Sequence, residues 1–426
     1  MKAATYISLT VSFRTLLSGS LLLLICSVLT AQSTISVNNT DQLRSALEQV
    51  DKGTTIIVEA GIYEGHEYII RNSVHLKSEG EVVMDAMGKG DIFIIAGDSI
   101  TIEGFTLRNT GHSNLNDHSG VKVFDSRFLW VKNNRFVNTF FGIHISNSHH
   151  LFILNNHFES HEKIPHRTGN GIHLWKSDTA LISGNYIFGH RDGIYLEFVT
   201  VAESSHNVVE YNNRYGLHFM FSHDNSYYHN TFRHNDAGVA VMYTRNVDMR
   251  FNIFENNLGS GSYGVLLKDI SNSTMKYNRI VNNTIGIYMD GSNNNIIEKN
   301  LFRRNGWAIR LLASCDGNLI AENNFVANTF DISTNGRLFT NRLKKNYWDR
   351  YNGYDLDRNG YGDVPHRPIN LYSTVVERIP SAIILWRSFM VTMLDQAERV
   401  IPVITPENLQ DEEPKMRPHD INFKTE

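Results

Sequence analysis

Short apolar residues alternate with polar ones along most of the chain, and two markers frame each alternation. Glycine opens it, as in Gly142-Ile-His-Ile, Gly171-Ile-His-Leu, Gly193-Ile-Tyr-Leu, Gly216-Leu-His-Phe, Gly238-Val-Ala-Val, Gly264-Val-Leu-Leu and Gly286-Ile-Tyr-Met. Fourteen residues after each of these glycines stands an asparagine in the pattern Asn-any-hydrophobe, from Asn156 to Asn300. The same pattern occurs at Asn134, Asn323 and Asn346. From each Asn to the next Gly the distance is 8 or 9, except 15 after Asn156 and 12 after Asn252. One arc of the repeat is therefore constant, and one corner takes the insertions.

Period-two alternation belongs to a half-buried strand, and a unit this short buries its apolar face only against its neighbours. Strands bounded by Gly and Asn, with no helical stretch between them, predict an all-β fold: a right-handed, single-stranded parallel β-helix with about 22–23 residues per coil. Asparagines stacked at one corner would bond to those above and below. Proline cannot donate to a ladder. Of eight prolines only Pro165 falls in the body, and the other seven follow residue 360.

The ends divide accordingly. Residues 1–31 read as a secretory signal peptide: Lys2 and Arg14 precede an apolar run from Leu16 to Leu29, too short to span a membrane. The β-helix with its N-terminal cap occupies 32–350. Its cap is a helix over 41–50, with Leu43, Ala46, Leu47 and Val50 on one face and Thr40 as N-cap. A Gly/Asp-rich loop fills 351–380. Residues 381–402 form an amphipathic helix in which Ile383, Trp386, Met390 and Met393 step by three and four. It either caps the open end or docks on a membrane partner. The Pro- and charge-rich tail, 403–426, is expected to lack fixed structure.

Composition narrows the function. Removing the signal takes the formal net charge from −4 to −6, and no basic tract marks a nucleic-acid partner. Only Cys315 remains after Cys26 leaves with the signal, so neither an internal disulfide nor a thiolate cluster is available.

If the first and third residues after Gly face the core, the second and fourth face out. The second reads His144, His173, Tyr195, His218, Ala240, Leu266, Tyr288, Arg310. The fourth reads Ser146, Trp175, Glu197, Met220, Met242, Lys268, Asp290, Leu312. His218, Met220 and Met242, with Glu197 and His173, are the candidates for metal handling or docking, because imidazole and thioether suit Cu(I). Exposed Met and aromatic residues also mark a protein-contact face, which is the reading this stripe favours over a metal site. The insertions add His112, His118, His161 and His166, with Asp117 and Glu162, at one corner about 10 Å apart at their bases. They either meet or reflect the 19 histidines of the chain.

Asp355, Asp357, Asn359 and Asp363 surround Gly360 like the first half of a calcium loop, but His366 stands where the closing Glu belongs. A tight Asx turn fits the same residues. Nucleophile elbow, zinc-protease, CxxC and phosphate-loop motifs are absent from the sequence. Glu197 and Asp290 fall four coils apart, about 20 Å, too far for a glycosidase pair. A polysaccharide lyase, using Lys268 or Arg310, or a glycoside hydrolase of the parallel β-helix type remains the enzymatic alternative.

Longer strings are more specific. Gly193-Ile-Tyr-Leu-Glu-Phe-Val199, Arg214-Tyr-Gly-Leu-His-Phe-Met-Phe-Ser-His-Asp-Asn225, Ala237-Gly-Val-Ala-Val-Met-Tyr-Thr244, Asn305-Gly-Trp-Ala-Ile-Arg-Leu-Leu-Ala-Ser-Cys315, Asn328-Thr-Phe-Asp331 and the run from Asn346-Tyr-Trp-Asp to Pro368 resemble the NosD family, periplasmic maturation proteins of nitrous oxide reductase. The similarity runs from about residue 100 to 402. It implies a non-enzymatic accessory role in assembling the reductase's copper-sulfide centre. The implied partners are the permease and ATPase subunits of an ABC transporter at the inner membrane, nitrous oxide reductase, and a copper-chaperone lipoprotein. No tightly bound cofactor is expected; the residues leave open transient copper on the stripe and calcium at the 355–363 loop, where the Asx turn is the favoured reading. The expected location is the periplasm, peripheral to the inner membrane through the transporter. The family supplies no agreed catalytic residues to carry over.

Overall fold

The computed structural model describes residues 33–113, 115–162, 167–336, 340–386, 388–400 and 409–423. The expected signal peptide and His166 lie outside these residues.

The body is a right-handed parallel β-solenoid. Each regular coil gives one strand to a 12-stranded parallel sheet and two short strands to a 25-stranded one. In one coil these are Tyr215–Met220, then Ser226–Tyr228 and Thr231–Arg233. The Gly-led strands all belong to the smaller sheet. Gly216 is required by proximity: a Cβ there would stand 2.5 Å from the Gly238 carbonyl oxygen of the next coil. Gly238 meets Gly264 at the same distance. Its first and third followers, such as Leu217 and Phe219, are fully buried.

The asparagine ladder runs from Asn134 to Asn346. At Asn252 the backbone N–H and the side-chain amide both donate to Asn278 Oδ1, at 2.9 and 3.1 Å, while Nδ2 also reaches the Tyr227 carbonyl at 2.9 Å. The hydrophobe two residues after each Asn stacks on its counterpart: Phe136 on Phe158 at 4.4 Å, Phe302 on Phe325 at 4.8 Å, Phe325 on Trp348 at 4.2 Å. A second ladder, Asn212–Asn235–Asn257–Asn283–Asn305–Asn328, runs beside it. It is visible in the sequence as an Asn five residues after each of the first set from Asn207 to Asn323.

The N-terminal helix α1 spans Thr40–Gln49 and buries Leu43 and Leu47. Its N-cap is Asn39, one residue earlier than expected, whose side chain accepts from the Gln42 N–H.

The C-terminal end departs from expectation in two ways. Instead of one helix over 381–402, α2 (Leu371–Arg378) is followed by a 3₁₀ turn (Pro380–Leu385) and then α3 (Phe389–Val400). Pro380 lacks the N–H that would continue α2. These elements lie against the outer face of the smaller sheet: Tyr372 and Trp386 pack on Phe330 at 5.8 and 5.3 Å, and Arg310 pairs with Glu377. They are not the plug of the coil. That role falls to the tail, where 409–423 has fixed structure. Asp411 and Lys415 bridge Leu343 and Tyr347 of the last coil, and the Asp411 carboxylate accepts from Lys345 N, Asn346 N, Asn346 Nδ2 and Trp348 Nε1. A charge-rich segment folds here because its carboxylate satisfies donors the ladder would leave open.

Candidate functional site

Register fixes the outer rows of the smaller sheet. His144, His173, Tyr195, His218, Ala240, Leu266, Tyr288 and Arg310 pair one after another. Beside them run Ser146, Trp175, Glu197, Met220, Met242, Lys268 and Asp290. Met220 and Met242 are thus direct neighbours, both half-buried. Glu197 and Asp290 are four steps apart, with Lys268 next to Asp290.

One expectation is corrected. His218 points away from the core yet does not reach solvent, being only 5 % exposed. Tyr195 covers it at a ring distance of 4.6 Å and Tyr215, just before Gly216, at 4.8 Å. His173 is wedged between His144 and Tyr195, 4.8 Å from each. Bulky neighbours at one-coil spacing shield the smaller imidazoles, which a reading of alternation alone does not register.

Polar atoms without hydrogen-bond partners concentrate in this stretch: His144 Nδ1, both amide atoms of Asn170, and both ring nitrogens of His173 and His218. Buried polar groups are ordinarily paired, so such a cluster marks a place for water or a ligand. Burial, reinforced by His144 and Arg191, pushes the His173 pKa down to about 3, leaving a neutral imidazole. Burial lowers His144 as well.

The sequence reading missed the group beneath this row. Asp192 is fully buried. Burial would raise its pKa, but the Arg214 guanidinium, bonded to both its oxygens, and His218 3.6 Å away hold it near 2. The Tyr195 hydroxyl donates to the Met220 sulfur at 3.5 Å, and burial with the nearby Glu197 charge raises its pKa. Alternation gave no signal for this pair, because Asp192 stands two residues before the inward Ile194 and would by that rule face the core.

Next to the methionines an aromatic ladder is exposed. Phe198 stacks on Phe221 at 5.2 Å, and Phe221 on Tyr243 at 5.0 Å. All three adopt positive φ, from 51° to 54°, a conformation uncommon for bulky residues.

The insertions do fall at one corner, before the smaller sheet, but their histidines do not converge. His112 packs on Phe140, His118 Nδ1 lies 3.5 Å from Asp91, Asp117 approaches His144 at 3.8 Å, and His161 lies near Phe188. Glu162 is half-buried within its own loop. Among the described residues no three His, Cys, Asp or Glu side chains gather as a metal site. In the 351–363 loop, Asp355 accepts from the N–H groups of Asn359 and Gly360, Asp357 from Asn359, Asn359 from Tyr361 and Asp363 from Leu356. Those are Asx-type turns, with the oxygens turned to local backbone. In the C-terminal segment Trp386 is packed inward, whereas Met390 and Met393 are exposed and Ile383 partly so.

Fold and stripe together define a parallel β-helix protein with its distinctive chemistry on one outer sheet. The family described as periplasmic copper-binding protein (NosD) matches residues 160–361. The chain is 28% identical over 377 residues to a probable ABC transporter binding protein NosD of Pseudomonas aeruginosa, spanning 84% of this chain and 87% of that one. It is 27% identical over 385 residues to the protein of the same description from Stutzerimonas stutzeri, spanning 84% and 86%. Over residues 160–361, a little under half of its length, the chain is similar to the NosD family. Among solved structures, the Dettilon tailspike protein shares the fold at TM-score 0.52 and 15% identity, over 70% of this chain and 69% of that one. A variant of the periplasmic alginate epimerase AlgG does so at 0.50 and 13%, over 72% and 83%.

Proposed function

We propose that this protein is a periplasmic accessory of an ABC transporter that serves the maturation of nitrous oxide reductase, passing copper toward the reductase's copper-sulfide centre. The carrying observation is the in-register pair Met220 and Met242, half-exposed, beside a row in which both ring nitrogens of His173 lack hydrogen-bond partners and His218 faces Asp192 at 3.6 Å. Two thioethers with imidazole nitrogens suit Cu(I) as cargo, and a low ligand number suits release. Polarizable methionines and the exposed Phe198–Phe221–Tyr243 ladder supply an adaptable surface for a copper-chaperone lipoprotein or the reductase. The end bearing Ile383, Met390 and Met393 meets the transporter's permease and ATPase assembly at the inner membrane.

Cu(I) titration of the mature protein against a competing chelator tests the cargo. Met220→Ala/Met242→Ala is expected to weaken binding about tenfold or more, the loss of at least one soft ligand. Equal binding removes the stripe from copper handling. In cells, deletion is expected to leave exported reductase without its catalytic cluster, and full cluster loading overturns the assignment. Release of products from uronate polymers by the purified protein would instead favour a lyase.

A further inference from the structure

Three successive coils place different residues in the two positions before the glycine. They are Gly169 and Asn170 before Gly171, Arg191 and Asp192 before Gly193, and Arg214 and Tyr215 before Gly216. Backbone bonds keep these positions in register. The Arg214 N–H donates to the Arg191 carbonyl and the Arg191 N–H to the Gly169 carbonyl, both at 2.9 Å. Each arginine therefore stands one coil beyond a residue of the adjoining row: Arg214 beyond Asp192, and Arg191 beyond Asn170.

The first pair is closed. Arg214 donates from Nε to Asp192 Oδ1 at 2.8 Å and from a terminal nitrogen to Oδ2, so a planar carboxylate fills the guanidinium fork. In the second pair an amide stands where the carboxylate would be. Arg191 is half-buried, and its Nε is buried without a partner. Among the described residues it makes no ion pair. Asn170 is fully buried, and neither of its amide atoms has a partner. Both ring nitrogens of His173 are unpartnered too. After burial, the charges of His144 and Arg191 lower the His173 pKa, which sets the guanidinium near that ring. Phe141 lies against the same ring at 5.8 Å and gives the place an apolar wall. The carboxylates around it are engaged elsewhere or peripheral. Asp192 is held by Arg214, Asp91 by Lys122 and the Ser119 N–H, and Asp117 sits by His144 at 3.8 Å with more than half of its side chain exposed. A buried guanidinium nitrogen and buried amide atoms without partners carry a desolvation cost that a bound group of the right shape removes.

We propose that Arg191, Asn170 and His173 bind the carboxylate of a small organic acid or sugar acid, seated as the Asp192 carboxylate is seated on Arg214 one coil further on. The internal pair is the template: a planar anion whose two oxygens meet the guanidinium fork. Asn170 Nδ2 and one His173 N–H add donors to the same group. An asparagine at position 170, in the row that holds Asp192, is what leaves the fork to a ligand. The half-buried Arg191 and His173 keep the place open to solvent from one side. Nothing in this contact requires copper, and its failure leaves the reading of Met220 and Met242 untouched.

The test is a saturation-transfer NMR titration of the mature full chain with sodium acetate and with sodium glucuronate at constant ionic strength. Wild type is expected to bind. Glucuronate tighter than acetate by about tenfold or more assigns a sugar acid; similar or weaker affinity for glucuronate assigns a free organic acid. Arg191→Gln is expected to weaken binding at least about tenfold, the loss of a charge-assisted pair. Asn170→Asp puts a carboxylate where the next coil has Asp192. It is expected to abolish binding and to raise the melting temperature, by closing the fork from within. A variant that loses binding through damage to the fold would instead melt lower. The proposal is overturned if wild type binds neither salt, or if Arg191→Gln or Asn170→Asp binds like wild type. It is also overturned if sodium sulfate displaces the bound acid at equal concentration, which makes the place a general anion hole.

Discussion

Asp411 terminates the ladder at Asn346: its Oδ2 accepts the Asn346 backbone N–H at 2.8 Å and side-chain amide at 3.0 Å. It occupies the place the next coil's asparagine would take, from a segment 65 residues further on. Asp411→Ala removes the acceptor of four donors, of which the buried Asn346 N–H and Trp348 Nε1 are left without another partner, and hydrogen bonds to a charged group are worth about 1.5–3 kcal/mol each in favourable cases. Expected is a fall in stability of about 3 kcal/mol for the last coils, read as an early transition in thermal unfolding and as faster amide exchange around 342–348. Asp411→Asn keeps one acceptor and is expected to fall between.

Within the ladder, Asn252→Ala removes a side chain that accepts two bonds from Asn230 and donates to Tyr227 and Asn278. The cost is expected to be about 2–4 kcal/mol, because buried groups on both neighbouring coils lose partners. Ser260→Ala, eight residues away in an exposed turn, is the control and is expected to shift stability by less than about 0.5 kcal/mol. Comparable losses in the two variants by calorimetry would contradict the ladder's role.

His173 gives a pH prediction. Its folded pKa, about 3, lies below its ordinary value near 6.5. Its neutral form therefore stabilises the fold fully above pH 6.5, and that contribution is lost as pH falls from 6.5 toward 3. The loss is one proton's worth, about 1.4 kcal/mol per pH unit. His190 and His366, each lowered to about 4 by burial, add slopes of the same sign. His173→Gln is expected to reduce the slope of stability against pH over 4–6 by one proton, in denaturant titrations.

Tyr195 holds Met220 through its hydroxyl. If Met220 binds Cu(I), that bond must break first. Tyr195→Phe is expected to tighten Cu(I) binding by up to about fivefold, the worth of one modest hydrogen bond. Weaker binding in the variant would mean that Tyr195 takes part as a ligand or orients one.

Trp386 joins the C-terminal helices to the solenoid, packed against Phe330 and Tyr372 with the Arg350 guanidinium 5.4 Å from its ring centre. Trp386→Ala is expected to cost about 2–3 kcal/mol locally, less than for a fully buried Trp. Limited proteolysis between 379 and 400 should accelerate while the solenoid's main transition stays within a few degrees. An unchanged cleavage rate would show that the helices are held elsewhere.

The coil was legible because a stacked fold repeats one local rule. The Gly-to-Asn spacing fixed the strands, their register and the inward and outward rows, and the structure reproduces the pairing of His144, His173, Tyr195 and His218 in that order. Local pattern also placed α1 to within a residue and gathered the insertions at one corner. What it left undecided was lateral packing and closure. Whether an outward imidazole meets water depends on the rings one coil above and below, so the burial of His218 under Tyr195 and Tyr215 emerged only in three dimensions. Asp192 and Arg214 face each other because their coils are adjacent, though the chain separates them by 22 residues. Likewise no periodicity marks Asp411, whose place is set by the unsatisfied amides of the final coil. Sequence determined the repeating unit, whose contacts are all to its nearest neighbours; the tertiary structure decided the ends and the site, where partners come from distant segments and burial is a property of the whole surface.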